Sequence, residues 1–387
     1  MPDAVATALR VRDAAAADLD LMLRDLARWV AHDSPSGALP ELDALAAEIA
    51  RTLSGYGSAV ELVPAAAGLH VHAVLEGPGR ARVALLCHHD TVFPLGTAAR
   101  RPLAREGDRL IGPGVADMKG GLVVAAHAAR LLATRARPFA RLELVSVPDE
   151  EIRSQPIATQ RRLAGFDAVL CMECGRPGGA VVAARKGGRW LDVVAHGRSA
   201  HAGSEPEHGR NAVIALAREL PRIAALDGAR QGLTLHVTRM HGGDVLNSIP
   251  GEARATIDMR GWHDADLDWA EGQLLRVDPH RDVTFSTAER LVTPPLERTP
   301  AVAALALQTA ALGDALGSAV PETFTGGVSD GCWTAGEGLP TLDGLGPVGA
   351  LDHSPDEYIE IPSLAQRCGL VAGLVAAIDA GLLRTQG

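Results

Sequence analysis

Apolar positions near the start of the chain recur at helical spacing, and further on they gather into short, dense runs. Leu19, Met22, Leu23, Leu26 and Val30 fall on one face of a helix, which predicts a first amphipathic helix over about residues 15–32. The loop-forming string Asp33-Ser34-Pro35-Ser36-Gly37 stops it, and a second helix is expected over about residues 42–53. Residues 70–75 alternate as a strand. Residues 82–87 form an unbroken apolar run, the pattern of a strand covered on both faces. An Ala- and Leu-rich buried helix is expected over residues 120–132, with further strands over 142–147 and 168–172. Strands separated by helices predict an α/β layered domain, with a mixed sheet carrying helices on both faces.

From about Arg189 the texture changes. Residues 190–195, 233–237 and 253–258 read as strands, and residues 211–225 and 265–275 as helices. This is a smaller α+β unit of roughly 110 residues, with Gly187, Gly188 and Thr293-Pro294-Pro295 as hinges. After residue 298 the earlier pattern resumes. The expected organisation is therefore a first domain in two parts, residues 1–187 and 298–387, interrupted by an inserted domain over residues 188–297.

Composition narrows the partners. The net charge is −10 with no long basic run, and aromatics are only 3%, so neither phosphate binding nor base stacking is supported and nucleic acid is excluded. Met1 to Ala17 holds no long apolar block and reads as neither a signal peptide nor a membrane span. The five cysteines form no even disulfide framework, which suits the cytoplasm. Cys171 and Cys174 spell C-x-x-C, but a single such pair is weak evidence of zinc or redox chemistry.

The candidate chemistry is positional. Three acid and histidine clusters follow directly on expected buried strands: His88-His89-Asp90, Asp149-Glu150-Glu151, and Glu173. The carboxyl ends of strands in an open α/β sheet form the crevice where ligands bind, so these clusters can converge there. Carboxylates with histidines suit one or two divalent metals. Asp90, two positions after His88, can orient the imidazole. Of the adjacent pair Glu150 and Glu151, one can bind metal while the other acts as general base, although a solvated acidic turn is a common alternative. Asp117 lies in a glycine-dense loop opening a helix, where an ordinary N-cap is also a reading. Asp352-His353-Ser354-Pro355 offers a late histidine.

In this order the motifs are specific. His-x-Asp, Gly-Pro-Gly-x-x-Asp-x-Lys-Gly-Gly, Asp-Glu-Glu, the strand-end Glu173, Ser199-Ala200-His201-Ala202-Gly203, Asn247-Ser248-Ile249-Pro250, Asp258-Met259-Arg260 and the late His353 run over nearly the whole chain. Together they resemble the aminoacylase and glutamate carboxypeptidase family of dizinc metallopeptidases, closest to the glutamate carboxypeptidase branch. The resemblance implies two divalent ions, zinc with cobalt or manganese as substitutes. Asp117 would bridge them, His88 and Glu173 would complete one site, and Glu151 and His353 the other. It further implies Glu150 as general base and acid, Asp90 behind His88, and a cis peptide at Asp117–Met118.

The inserted domain resembles the family's lid and dimerisation domain. There His201 would polarise the scissile carbonyl, commonly from the partner subunit, and Asn247 and Arg260 would hold the substrate carboxylate. An ordinary ion pair at a strand end is the plain alternative for Arg260. The stretch Gly326-Gly327-Val328-Ser329-Asp330 resembles a loop that closes over the substrate, which makes Ser329 a candidate contact. The expected protein is a cytoplasmic, homodimeric carboxypeptidase-type hydrolase acting on a small peptide or N-acyl amino acid, with no membrane partner. The alternatives are an N-acyl-amino-acid deacylase or dipeptidase on the same scaffold, and a catalytically silent metal-binding dimer. A redox enzyme using Cys171 and Cys174 is a third idea. The turn Glu150-Glu151-Ile152-Arg153-Ser154 departs from the family's usual Gly-Ser turn, so its bulk could reshape the pocket wall.

Overall fold

A computed structural model describes residues 2–135, 137–153, 155–276 and 282–383; Ser154, part of the unusual turn, lies outside these. The chain divides into two compact units. The first comprises Met1–Ala184, Arg298–Thr325 and Ser329–Gly387, and the second Arg185–Glu297 with Gly326–Val328.

A mixed six-stranded sheet organises the first unit, in the order Ala59–Ala65, Gly68–Glu76, Arg141–Val147, Arg82–His88, Ala168–Cys171, Thr341–Leu342. The first three are linked antiparallel, and from Arg141–Val147 onward every pairing is parallel. Ala84, Leu86, Val145, Val147, Val169 and Cys171 form one face, packed with Leu163, Phe166 and Trp333. Burial on both faces is the reason these strands are almost wholly apolar. The helix Gly120–Arg135 lies against Arg82–His88 and Arg141–Val147 and also touches the helix Ile361–Asp379.

Two helices open the chain, Pro2–Ala17 and Leu19–Val30, separated at Asp18; the second is the helix expected over 15–32, and the first was not expected. Ala4, Ala8, Val11 and Ala15 of the first are buried, and the helix packs along Ile361–Asp379. Small residues permit the approach: a Cβ at Gly369 would come within 2.7 Å of the Ala8 carbonyl oxygen. Among the described residues Ile361–Asp379 is the one helix long and apolar enough to cross a membrane, and 83% of its apolar window is buried inside the protein, as in a core helix.

A second, antiparallel sheet of the first unit runs Gly349–Ala350, Tyr358–Glu360, Arg109–Ile111, Ala104–Glu106. Its pairing of Tyr358 with Ile111 and Glu360 with Arg109 joins two distant stretches of sequence. The loop holding His353 therefore lies beside the loop that leads to Asp117.

The second unit is a four-stranded antiparallel sheet ordered Thr234–Gly242, Glu252–Gly261, Gly187–His196, Thr284–Thr293. Leu191, Val193 and Ala195, with Ala255, Ile257 and Met259, point to one face by strict alternation. The helices Ala212–Ala224 and Asp264–Leu274 bury Leu216, Ile223, Leu267 and Leu274 in the same cluster.

Candidate metal centre

Three neighbouring parallel strands end at the acid clusters. His88 is the last residue of Arg82–His88, Glu150 follows Arg141–Val147 by three positions, and Glu173 follows Ala168–Cys171 by two. Because Arg82–His88 is flanked by the other two, their carboxyl ends lie side by side. Gly121 lets the helix Gly120–Arg135 sit hard against this edge; a Cβ there would fall 1.9 Å from the Met172 carbonyl oxygen.

Asp117 arrives from the second sheet. Its loop turns at Gly114, whose φ of +69° is one that glycine adopts without steric cost, and the Asp117–Met118 peptide is cis. The buried carboxylate of Glu357 accepts from the backbone N–H groups of Gly114 at 3.0 Å, Ala116 at 2.7 Å and Asp117 at 3.0 Å. Met118 accepts from the His88 N–H through its sulfur at 3.2 Å, and the buried Lys119 ammonium donates to the His32 carbonyl at 2.8 Å. Glu357, Met118 and Lys119 thus fix the loop; Met118 and Lys119 stand in the sequence motif without this role, and Glu357 was not singled out from sequence. Glu357 follows His353 by four residues, a spacing that acquires meaning only through the sheet.

The side chains meet in two triads. His88, Asp117 and Glu173 bring their ligand atoms within 4.8 Å of one another, and so do Asp117, Glu151 and His353. His88 Nε2 lies 2.9 Å from Asp117 Oδ1 and 3.7 Å from Glu173 Oε1. His353 Nε2 lies 3.1 Å from Asp117 Oδ2 and 3.2 Å from Glu151 Oε2. Asp117 therefore presents one oxygen to each imidazole. His353 reaches it from a backbone with φ of +63°, uncommon for a residue with a Cβ, and neighbouring Asp352 is tied to Arg176 at 3.0 Å.

The charges here are unbalanced. Burial, then repulsion from Asp117, pushes Glu151 up to about 7, and burial holds Glu150 well above the usual carboxylate range. His88 stands well above the usual imidazole value: burial opposes its cation, but hydrogen bonds to Asp117 and Asp90 outweigh that. His353 is lifted to about 9, chiefly by its hydrogen bond to Asp117. Glu151 Oε1 is buried and has no hydrogen-bond partner among the described residues. Two imidazoles and three carboxylates, one of them with an orphaned oxygen, are a donor set that suits a pair of divalent cations, so the residues fit such ions.

Asp90 backs the cluster. It lies 3.2 Å from His88 Nδ1, accepts from the N–H groups of Glu150 at 3.1 Å and Glu151 at 3.2 Å, and takes the Ser36 hydroxyl at 2.7 Å. The Glu150 carboxylate makes no hydrogen bond among the described residues, yet His88, Glu173 and Asp117 are within its electrostatic reach. Arg153 does not simply crowd the pocket wall: its buried guanidinium binds Asp149 at 2.8 Å and Asp330. Ile152, by contrast, is exposed.

The remaining sequence candidates lie on other elements. Ser329 is buried and caps the helix Asp330–Gly336, its hydroxyl donating to Asp343 at 2.6 Å and accepting from the Gly331 N–H at 3.2 Å. His201, Asn247 and Arg260 belong to the second unit. His201 is exposed, and its Nδ1 accepts from the N–H groups of Gly203 at 3.1 Å and Ser204 at 3.0 Å. That pattern puts the ring proton on Nε2 and makes it a free donor. Asn247 is exposed, and its backbone carbonyl accepts from the Ala202 N–H at 2.9 Å. Arg260 is already paired with Asp258 at 3.1 Å and stacked over Trp190 at 5.2 Å. All five cysteines are buried and none is in a disulfide; Cys174 donates to the carbonyls of Gly175 and Pro347, and Cys171 and Cys174 are not linked.

A mixed α/β sheet with paired carboxylate and imidazole triads at its strand ends defines a metal-dependent hydrolase. Residues 84–377 match peptidase family M20/M25/M40, and the chain belongs to that family. It is 29% identical over 321 residues to carboxypeptidase G2 of Pseudomonas sp., covering 79% of this chain and 76% of that one. It is also 29% identical over 321 residues to the succinyl-diaminopimelate desuccinylase of Gluconobacter oxydans, covering 74% and 79%. Among solved structures, aminopeptidase PepT of Bacillus cereus shares the fold with a TM-score of 0.77 at 18% identity, over 93% of this chain and 98% of that one.

Proposed function

We propose that this metallopeptidase is a dizinc exopeptidase of the carboxypeptidase kind, releasing an amino acid with a free carboxylate from a small peptide or N-acyl amino acid. The observation that carries the reading is the pair of triads sharing Asp117, with the unpaired Glu150 carboxylate in their field. His88 and Glu173 would hold one ion, Glu151 and His353 the other, and Asp117 both. Ions held there supply Lewis acidity, lowering the pKa of a water and polarising a carbonyl oxygen.

The chain's own groups do the rest. Glu150, bound to no other side chain, is free to take a proton from the attacking water and deliver it to the leaving amine nitrogen. Asp90 keeps His88 oriented and, through two N–H groups, fixes the turn that carries Glu150 and Glu151. His201 Nε2–H is suited to donate to the developing oxyanion, a contribution typically worth about 3–4 kcal/mol. Arg260 and Asn247 would grip the α-carboxylate, for which Arg260 must exchange its bond to Asp258 for the substrate. Ser329, committed to its helix cap, shapes the loop rather than touching substrate. The second unit is read as a lid and dimerisation domain, and five buried cysteines with no disulfide among them suit a reducing cytoplasm.

The test is a release assay on N-acyl glutamates, dipeptides and N-succinyl amino acids, run on the wild type and on Glu150→Ala. The variant is expected to lose about 10²–10⁴-fold in turnover with its metal content intact. Retained hydrolysis would sink the role of Glu150. Preference for N-acyl amino acids over peptides would move the reading to a deacylase, and chelator-resistant activity would end it. Sedimentation of the native protein reads the dimer directly.

A further inference from the structure

The turn after the paired glutamates ends at Arg153, whose side chain is only 4% exposed. Its planar fork is used on two sides. Nη2 donates to Asp149 Oδ1 at 2.8 Å and Nη1 to Asp149 Oδ2 at 3.4 Å. Nε and Nη2 donate to the two oxygens of Asp330, the second at 3.1 Å. One guanidinium therefore binds the first residue of the turn to an acid 177 positions away.

Asp330 is a firm anchor. It opens the helix Asp330–Gly336, which lies against the strands Ala168–Cys171 and Thr341–Leu342. The capping hydroxyl of Ser329 is held by Asp343, whose backbone exchanges hydrogen bonds with Val182 at 3.0 and 2.7 Å. Trp333 of the same helix shares a core cluster with Val145 and Val147, on the strand that leads into the turn.

Glu150 stands between two such holds. On one side Asp90 accepts the N–H groups of Glu150 and Glu151. On the other, the Arg153 N–H donates to the Glu150 carbonyl at 3.1 Å, and its side chain carries the tie to Asp330. The Glu150 carboxylate makes no hydrogen bond of its own among the described residues, so the backbone of the turn sets where it points. A misplacement of about 1 Å in a reacting group can cost about 10²-fold in rate. We propose that Arg153 is a positioning residue for the general base: by binding the turn to Asp330 it holds the Glu150 carboxylate where the proton of the attacking water is taken. The proposal rests on the reading of Glu150 as that base. An ion pair serving stability alone would leave the turnover of folded protein unchanged.

The test measures kcat, KM and metal content for Asp330→Asn, Arg153→Met and Arg153→Lys beside the wild type and Glu150→Ala. The substrate is the member of the release panel that the wild type cleaves fastest. Asp330→Asn and Arg153→Met should lose about 10–100-fold in kcat, with KM within about twofold and metal content as in the wild type. Lysine keeps the charge but cannot fork to both acids, so Arg153→Lys should fall between Arg153→Met and the wild type. If Arg153→Met does not fold, Asp330→Asn decides. Wild-type kcat in folded Asp330→Asn, a change confined to KM, a loss that follows the metal content, or lysine no better than methionine overturns the proposal. Turnover retained in Glu150→Ala strikes the base itself, so the two failures are told apart.

Discussion

Asp90 carries more of the site than its place behind His88 suggests. One carboxylate touches a ligand ring, the two N–H groups of the turn bearing Glu150 and Glu151, and Ser36. Asp90→Ala is expected to lower metal affinity by about 10–100-fold, read by competition against a chromophoric chelator. Wild-type affinity in that variant would show His88 to be held by packing alone. A second residue sets a limit on acid stability. His70 is fully buried, with Nδ1 3.3 Å from the Thr159 hydroxyl and Nε2 unpaired. Burial, and then the nearby Arg153, depress its pKa to about 4. The unfolded chain takes up this proton near pH 6.5, so the stability due to neutral His70 is present above that value. It is lost as pH falls from about 6.5 to 4, at a cost of about 3 kcal/mol. Urea unfolding at pH 7 and pH 4 should show a loss for the wild type that is smaller by about that amount in His70→Phe.

At the scale of elements, the strands were legible because burial on both faces leaves an apolar run, and their ends displayed the acids in order. His88, Asp90, Glu150, Glu151 and Glu173 could all be picked out that way. Other elements were not. The helix Pro2–Ala17 packs through alanines, whose small side chains give little contrast between faces, and the edge strands Ala59–Ala65 and Thr284–Thr293 mix exposed and half-buried positions. Glu357 was invisible because its partners are backbone N–H groups brought close by strand pairing, which leaves no trace in spacing. The turn after the paired glutamates looked merely bulky, whereas Arg153 is a buried tie to Asp149 and Asp330. Arg153→Met strands two acids, one of them deeply buried, and should cost about 3–5 kcal/mol in urea unfolding. A loss under 1 kcal/mol would make Arg153 a surface residue in all but position.

For the whole molecule, the contrast between the two units follows from how each buries its apolar surface. In the first, a sheet covered by helices leaves a row of strand ends for chemistry. In the second, an antiparallel sheet buries one face under two helices and encloses a core of its own. Residues 185–297 in isolation should therefore fold cooperatively, with a sigmoidal thermal transition by circular dichroism. A gradual, featureless melt would mean that this core depends on the rest of the chain.

The insertion begins and ends at one place. Arg185 and Leu296 exchange both backbone hydrogen bonds, at 3.0 and 3.1 Å, so the chain leaves the second unit where it entered. Such a clasp makes the unit a cassette. Evolution, or an engineer, can lengthen, swap or delete everything between those two residues while the register of the catalytic strands stays untouched, and substrate choice can drift without disturbing the metal ligands.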